Sequence, residues 1–211
     1  MTMQYIRLKN TDVSVTVLTL GTWAIGGTMW GPYDEENALR AIETAIDNGI
    51  TAIDTAPVYG DGHAEELVGR AIGGKRDTVF LATKCGLDIY LKKYERNLSP
   101  SYLERDLAGS LRRLNTDYID LYQCHWHDPA THIEETMGAL LRFQEQGKIR
   151  FIGVSNFSVD ELHEALRYAP ILSLQPHYSL LERRIENDLL PICMDKGINV
   201  LPYGSLGAGM L

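Results

Sequence analysis

The chain has 211 residues, 45% hydrophobic and 23% charged, a composition that suits a single globular domain over residues 1–211, or a large part of one, with an ample core. Its formal net charge of −8, with no Lys/Arg-rich run, argues against a nucleic-acid or anionic-membrane partner. Three scattered cysteines without a CxxC point away from a disulfide framework or zinc ribbon, and no apolar run approaches the roughly 20 residues of a membrane span, so a reducing, cytoplasmic setting is expected, with no signal peptide.

The first stretch reads as a hairpin. Tyr5 to Leu8 and Val13 to Leu20 are β-rich, Val13, Val15 and Val17 alternate with Ser14 and Thr16, and the second run ends at Gly21-Thr22-Trp23. Gly26-Gly27 and Gly31-Pro32 mark a glycine-rich loop. A helix then opens on Asp34, carries Leu39, Ile42 and Ile46 on one face and closes at Gly49. Ile50 to Ile53 is a short apolar strand that stops on Asp54, and a Pro-containing loop after it carries Tyr59. A second helix bears Leu67, Val68, Ala71 and Ile72. Thr78 to Thr83 is a strand ending on Lys84.

A third helix has Ser99 as N-cap, Pro100 at its first position, and Leu103, Leu107, Leu111 and Leu114 on one face. Tyr118 to Gln123 is a strand ending near His125. Thr131 and Glu134 have capping-box spacing before a helix that closes at Gly147, and Ser158 and Glu161 repeat the pattern. Between those helices Ile149 to Val154 ends on Ser155-Asn156. Ile171 to Leu174 ends on Gln175, a last helix spans roughly Asn187 to Lys196, and Ile198 to Leu201 ends near Tyr203.

Apolar strands alternating with amphipathic helices imply an α/β fold with a parallel sheet covered by helices. Seven strands with six helices between them resemble a (β/α)8 TIM barrel with an N-terminal β-hairpin that stops early, since such barrels need eight of each; an open doubly wound sheet is the alternative.

The strand ends carry the functional signal. Asp54, Lys84, His125, Asn156, Gln175 and Tyr203 all donate, accept or carry charge, and a parallel barrel gathers these ends at one mouth. Tyr59 suits a general acid. A free phenol has a pKa of about 10, and Lys84 at the next strand end can lower it, with Asp54 as counter-ion. His125 can orient a substrate oxygen. The set suits proton donation to a carbonyl oxygen gaining charge during hydride transfer, which requires a nicotinamide. Ser155, Asn156 and Gln175 suit a carboxamide, and Tyr203 offers a face for its ring.

Gly60 to Glu65 follows a strand and opens a helix like a dinucleotide fingerprint, but Glu65 stands at the third glycine position, so a turn is expected. Gly204-Ser205-Leu206-Gly207-Ala208-Gly209 follows the last strand, where such barrels often bind phosphate. His125 and His127 form an HxH pair, but Asp128-Pro129 starts a loop there and His63, His132, His163 and His177 add no ligand spacing, so no metal is expected. Trp23, Trp30 and Trp126 are packing residues or pocket walls, with Trp23 the best placed for the pocket.

Asp54-Thr55-Ala56 with Tyr59-Gly60, Thr83-Lys84, His125-Trp126, Gly153-Val154-Ser155-Asn156-Phe157, Gln175 and Tyr203-Gly204-Ser205-Leu206-Gly207 resemble the aldo-keto reductases, and Gly21-Thr22-Trp23-Ala24 is similar to that family's first strand end. The resemblance runs through nearly the whole chain and is to bacterial members that reduce small aldehydes and ketones with NADPH. It implies a catalytic tetrad of Asp54, Tyr59, Lys84 and His125. Nicotinamide-side contacts are implied at Gly21, Thr22, Trp23, Asp54, Ser155, Asn156, Gln175 and Tyr203, and pyrophosphate contacts at Gly204, Ser205, Leu206, Gly207 and Gly209. His127 stands where many relatives have Pro. Relatives continue through an eighth strand and C-terminal helices that grip the adenosine 2′-phosphate, so the polypeptide is expected to continue beyond Leu211, and NADH stays open as a cofactor. The oligomeric state is left open too. Some relatives of this fold, such as potassium-channel β subunits, act as regulatory binding subunits, which is the alternative role.

Overall fold

The computed structural model describes residues 3–27, 34–91 and 94–211; Trp30 and Gly31-Pro32 lie outside them. The chain opens with an antiparallel hairpin, β1 (Tyr5–Arg7) on β2 (Ser14–Thr16), in the register Tyr5↔Thr16. Seven strands then form one sheet in chain order: β3 (Thr19–Gly21), β4 (Ala52–Asp54), β5 (Phe80–Cys85), β6 (Ile119–Cys124), β7 (Ile149–Ser155), β8 (Ile171–Gln175) and β9 (Asn199–Val200). Every neighbouring pair is parallel. The helices α1 (Glu35–Asp47), α2 (His63–Ala71), α3 (Pro100–Leu114), α4 (Ile133–Glu145), α5 (Val159–Tyr168) and α6 (Leu189–Lys196) fall between successive strands. No helix among the described residues is long and apolar enough to cross a membrane.

Local chemistry sets most boundaries. Asp34 caps α1 by accepting the Asn37 N–H at 2.7 Å. Ser158 and Glu161 form the expected capping box at the start of α5. The box expected at Thr131 does not form. His132 is the N-cap of α4, and the Thr131 hydroxyl instead donates to Asp128 Oδ2 at 2.7 Å. The helix expected from about Asn187 starts later. A 3-10 turn covers Arg184–Asn187, and α6 begins at Leu189 after Asp188. The last strand is shorter than the apolar run around it, keeping only Asn199 and Val200 in the ladder.

The sheet curls. Asp54 ends β4 and Gln175 ends β8, four strand spacings apart, or about 19 Å in a flat sheet. Their side chains nevertheless meet at 3.0 Å. The curl separates two apolar layers. Ala52, Phe80, Ala82, Leu121 and Leu172 pack inside, closed below by Leu8 and Val15 of the hairpin. The helix faces pack outside, among them Ile42, Leu67, Leu103, Leu107, Met137 and Leu162. This is the (β/α)8-type arrangement with an N-terminal hairpin.

Two buried carboxylates tie the layers together. Asp120 on β6 accepts from Arg76 at 2.7 Å, from Arg150 at 2.6 Å and from the Leu81 N–H at 2.9 Å, joining β5, β6 and β7. Glu65 on α2 is fully buried and accepts from the Thr83 hydroxyl and from Arg113 Nε, both at 2.7 Å. It therefore links α2, β5 and α3, which accounts for a carboxylate at the third position of an apparent fingerprint. Glu65→Ala leaves the Arg113 guanidinium without its counter-charge and is expected to cost roughly 3–5 kcal/mol in chemical unfolding. Stability within about 0.5 kcal/mol of wild type, the range of surface substitutions, would contradict this.

Candidate active site

The carboxyl ends of β4, β5 and β6 bring four polar side chains together. Lys84 extends from β5, only 1% exposed, and its ammonium donates to Asp54 Oδ2 at 2.7 Å, to the Tyr59 hydroxyl at 3.0 Å and to the Thr55 carbonyl at 3.0 Å. All three of its protons thus have acceptors. His125, just past β6, sets its ring edge-on to Tyr59 with centroids 6.1 Å apart. On the other side Trp23 stacks on Tyr59 at 6.3 Å.

Backbone contacts hold Tyr59 in place. Gly21 pairs with Asp54 across β3 and β4, and both the N–H and the hydroxyl of Thr22 donate to the Asp54 carbonyl, at 3.0 and 3.1 Å. The loop carrying Tyr59 then passes directly over Gly26. A Cβ on Gly26 would lie 2.6 Å from the Tyr59 carbonyl carbon, and one on Gly60 would lie 2.2 Å from the Gly26 oxygen. Only two glycines allow this crossing, and Gly60 also needs a φ of 66°.

The charges follow from burial and proximity. Burial disfavours the Lys84 ammonium, but Asp54 and Tyr59 outweigh it and raise its pKa. Burial also raises the Tyr59 phenol, with Lys84 pulling down and Asp54 pushing up. The expected lowering of the Tyr59 pKa is therefore present but outweighed by desolvation, so the tyrosine keeps its proton. Burial, aided by Lys84, holds the His125 imidazole well below its usual range, so it is neutral.

The ends of β7, β8 and β9 form the second half of the site. The Ser155 hydroxyl donates to the Gln175 carbonyl at 2.8 Å. Asn156 adopts φ 58°, an uncommon region for a non-glycine residue. Three bonds hold it there: its amide nitrogen donates to the His125 carbonyl at 3.1 Å and to Ser155 Oγ at 2.9 Å, and its oxygen accepts from the Tyr203 hydroxyl at 2.9 Å. This links the His125 strand end to Tyr203. His177 lies parallel to Tyr203 at 5.2 Å and covers one ring face. The stretch after Tyr203 turns sharply, with Gly204, Gly207 and Gly209 at positive φ. The N–H groups of Gly207 and Gly209 bond within the turn, to the Gly204 and Leu206 carbonyls. Ser205 and Leu206 are exposed there.

The HxH pair diverges. His125 faces Tyr59, whereas His127 Nδ1 lies 2.8 Å from Glu161 and its ring packs edge-on to Phe157. One member of the cluster escaped the sequence reading. Gln123 donates to Asp54 Oδ1 at 3.3 Å, alongside Gln175 at 3.0 Å. It is passed over because the strand end is assigned to His125, and in the structure it lies one residue before the end of β6. The available signal is that the expected strand Tyr118 to Gln123 itself stops on this amide, before the His125 that draws the assignment.

A curled parallel sheet with helices between its strands and an N-terminal hairpin defines a (β/α)8-type fold, and an Asp–Tyr–Lys–His cluster sits at its carboxyl ends. The sequence model of the aldo/keto reductase family matches residues 17–211, and the chain belongs to that family. It is similar to the aldo-keto reductase YhdN of Bacillus subtilis (strain 168), with 47% identity over 211 residues covering 99% of this chain. It spans 64% of that relative's length. It is 40% identical to an NADH-specific methylglyoxal reductase of Escherichia coli (strain K12), covering 99% of this chain and 69% of the relative. A solved aldo/keto reductase from Klebsiella pneumoniae, in complex with NADP and acetate, superposes with a TM-score of 0.82 at 36% identity, covering 100% of this chain and 71% of that one.

The neutral state of His125 has a pH consequence. Its folded pKa lies below its ordinary value of 6.5, so the stability it contributes is complete above about pH 6.5 and is lost as the pH falls below that. The thermal midpoint of wild type is expected to fall more steeply below pH 6.5 than that of His125→Asn. Parallel curves for the two proteins would contradict this.

Proposed function

We propose that the chain carries the catalytic site of a reductase that moves hydride from NADPH to the carbonyl carbon of a small aldehyde or ketone. The observation that supports it most directly is the buried Lys84 ammonium, bonded at once to Asp54 and to the Tyr59 hydroxyl. This arrangement suits a phenol that must give up a proton as negative charge grows on a neighbouring oxygen. Lys84 stabilises the phenolate left behind, and Asp54 keeps Lys84 charged. Neutral His125, beside the Tyr59 ring, is suited to donating one hydrogen bond to the same oxygen and orienting it.

The residues present fit a nicotinamide. Its carboxamide needs both donors and acceptors: Ser155 Oγ and the Asn156 side-chain oxygen keep acceptor capacity, and Gln175 has a second N–H beyond the one given to Asp54. Gln175 turns its nitrogen to Asp54, which leaves its oxygen as an acceptor. His177 covers one face of Tyr203, and the opposite face suits ring stacking. Gly21, Thr22 and Trp23 line the first strand end, and the turn with exposed Gly204, Ser205, Leu206 and Gly209 suits a pyrophosphate after rearrangement of its N–H groups. A nicotinamide bound there supplies the hydride; this chain holds it, orients the carbonyl and delivers the proton.

NADPH is the proposed cofactor, in line with the NADP complex of the Klebsiella relative, and NADH is the competing choice, in line with the Escherichia relative. Titration of both cofactors by fluorescence distinguishes them. Tyr59→Phe is expected to bind the cofactor as wild type does and to lose about 10²–10⁴-fold in carbonyl reduction; wild-type turnover would remove Tyr59 from the role. Lys84→Met is expected to lose both turnover and roughly 3–5 kcal/mol of stability, because Asp54 then keeps a charge without a partner. Unchanged melting and unchanged turnover together would refute the coupling.

A further inference from the structure

We infer that Gln123 is a positioning residue for Asp54, and that Gly153 exists as glycine to give it room. Gln123 is fully buried and lies in the same inward-facing row as Lys84: the register runs Lys84↔Gln123 and Gln123↔Gly153, with Gly153 next paired to Ser173. Its amide nitrogen donates to Asp54 Oδ1 at 3.3 Å. Lys84 takes the other carboxylate oxygen at 2.7 Å. The two oxygens of Asp54 are thereby assigned to different tasks, one to the ammonium and one to amides.

Two amides share Oδ1, and they are not equivalent. Gln175 ends its strand among the residues assigned to the nicotinamide, so cofactor binding recruits its other end. Gln123 lies one row deeper, and its amide oxygen has no hydrogen-bond partner among the described residues. A buried amide left half satisfied costs stability unless the satisfied half is needed. Rotating the amide to place its oxygen on Asp54 would set two acceptors against each other. The donation to Asp54 is what the burial of Gln123 achieves. It fixes the carboxylate whether or not Gln175 is occupied with cofactor.

Gly153 makes this reach possible. A Cβ there would lie 2.9 Å from Gln123 Cγ and 2.6 Å from Ser173 Oγ. The Gln123 side chain runs over the space that this missing methyl leaves. A larger residue at 153 would crowd Ser173, Gln123 and Leu121, and of the three Gln123 is the one bonded to Asp54.

The inference rests on the reductase reading for its effect on turnover, so the test has two arms. In the first, Gln123→Met is expected to lower kcat about tenfold, the scale of one hydrogen bond to a charged group, with the KM for cofactor within about twofold of wild type. A residue that only fills space would not separate kcat from KM in this way. Gly153→Ala is expected to give the same split, and to add little to Gln123→Met in the double variant. In the second arm, thermal unfolding is measured for Gln123→Met, Asp54→Asn and the pair. Gln123→Met is expected to lower the midpoint in wild type and to do far less in Asp54→Asn, whose oxygen no longer bears charge. If the wild type shows no carbonyl reduction, the reductase reading fails and the unfolding cycle alone decides the inference. Additive effects in that cycle overturn it. Should the Met variant fail to fold, Gln123→Asn, one methylene too short to reach Asp54, takes its place in both arms.

Discussion

The burial of one ammonium group governs this structure. Lys84 is 1% exposed, and an unpaired charge at such a depth would cost several kcal/mol or lose its proton. It keeps the proton because three acceptors surround it, from Asp54, Tyr59 and the Thr55 carbonyl. Two of those are side chains from β4 and the loop beyond it, so β4 and β5 must keep their register for the charge to be tolerated. A one-residue slip would turn Lys84 into the outer apolar layer. The electrostatic requirement and the strand register are in this sense a single constraint.

Burial sets the state of the neighbours of Lys84, and the same charge modifies it. It helps hold His125 neutral, and it opposes the rise that burial imposes on Tyr59. Burial thus leaves beside the cation a neutral imidazole and a protonated phenol, both with a proton to donate. The second half of the site is held by bonds that cross between strands. Asn156 pays backbone strain to reach both the His125 carbonyl and the Tyr203 hydroxyl, and such strain persists only where surrounding bonds over-determine it.

Much of this was legible in the sequence, because strands covered by helices announce themselves as apolar runs and their ends announce themselves as changes of polarity. Asp54, Lys84, His125, Asn156, Gln175 and Tyr203 each stop such a run, and the fold brings them to one end of the sheet. Local rules failed where a tertiary partner intervened. Thr131 has the spacing of a cap, but Asp128 gathers the N–H groups of Leu98 and Ala130 together with the Thr131 hydroxyl, and so removes it from α4. Tyr59 was expected to be acidified by Lys84. Sequence places the cation but not the depth, and depth outweighs it. The Gly26 and Gly60 crossing was also hidden, because glycines 34 positions apart in the chain look like two separate turns until the loops are seen to touch.

Gln123 shows the limit most clearly. It belongs to no motif and stands beside a histidine that draws the strand-end assignment, yet it shares a row with Lys84 and an acceptor with Gln175. What makes it part of the site is curvature. In a flat sheet β4 and β6 would hold Asp54 and Gln123 two strand spacings apart, about 10 Å. The curl that seats Phe80, Leu121 and Leu172 inside also swings these side chains inward until they meet. Packing of the inner apolar layer therefore sets the distances in the polar layer above it, and the hairpin residues Leu8 and Val15, far from Asp54 in the chain, belong to the physical cause of its geometry.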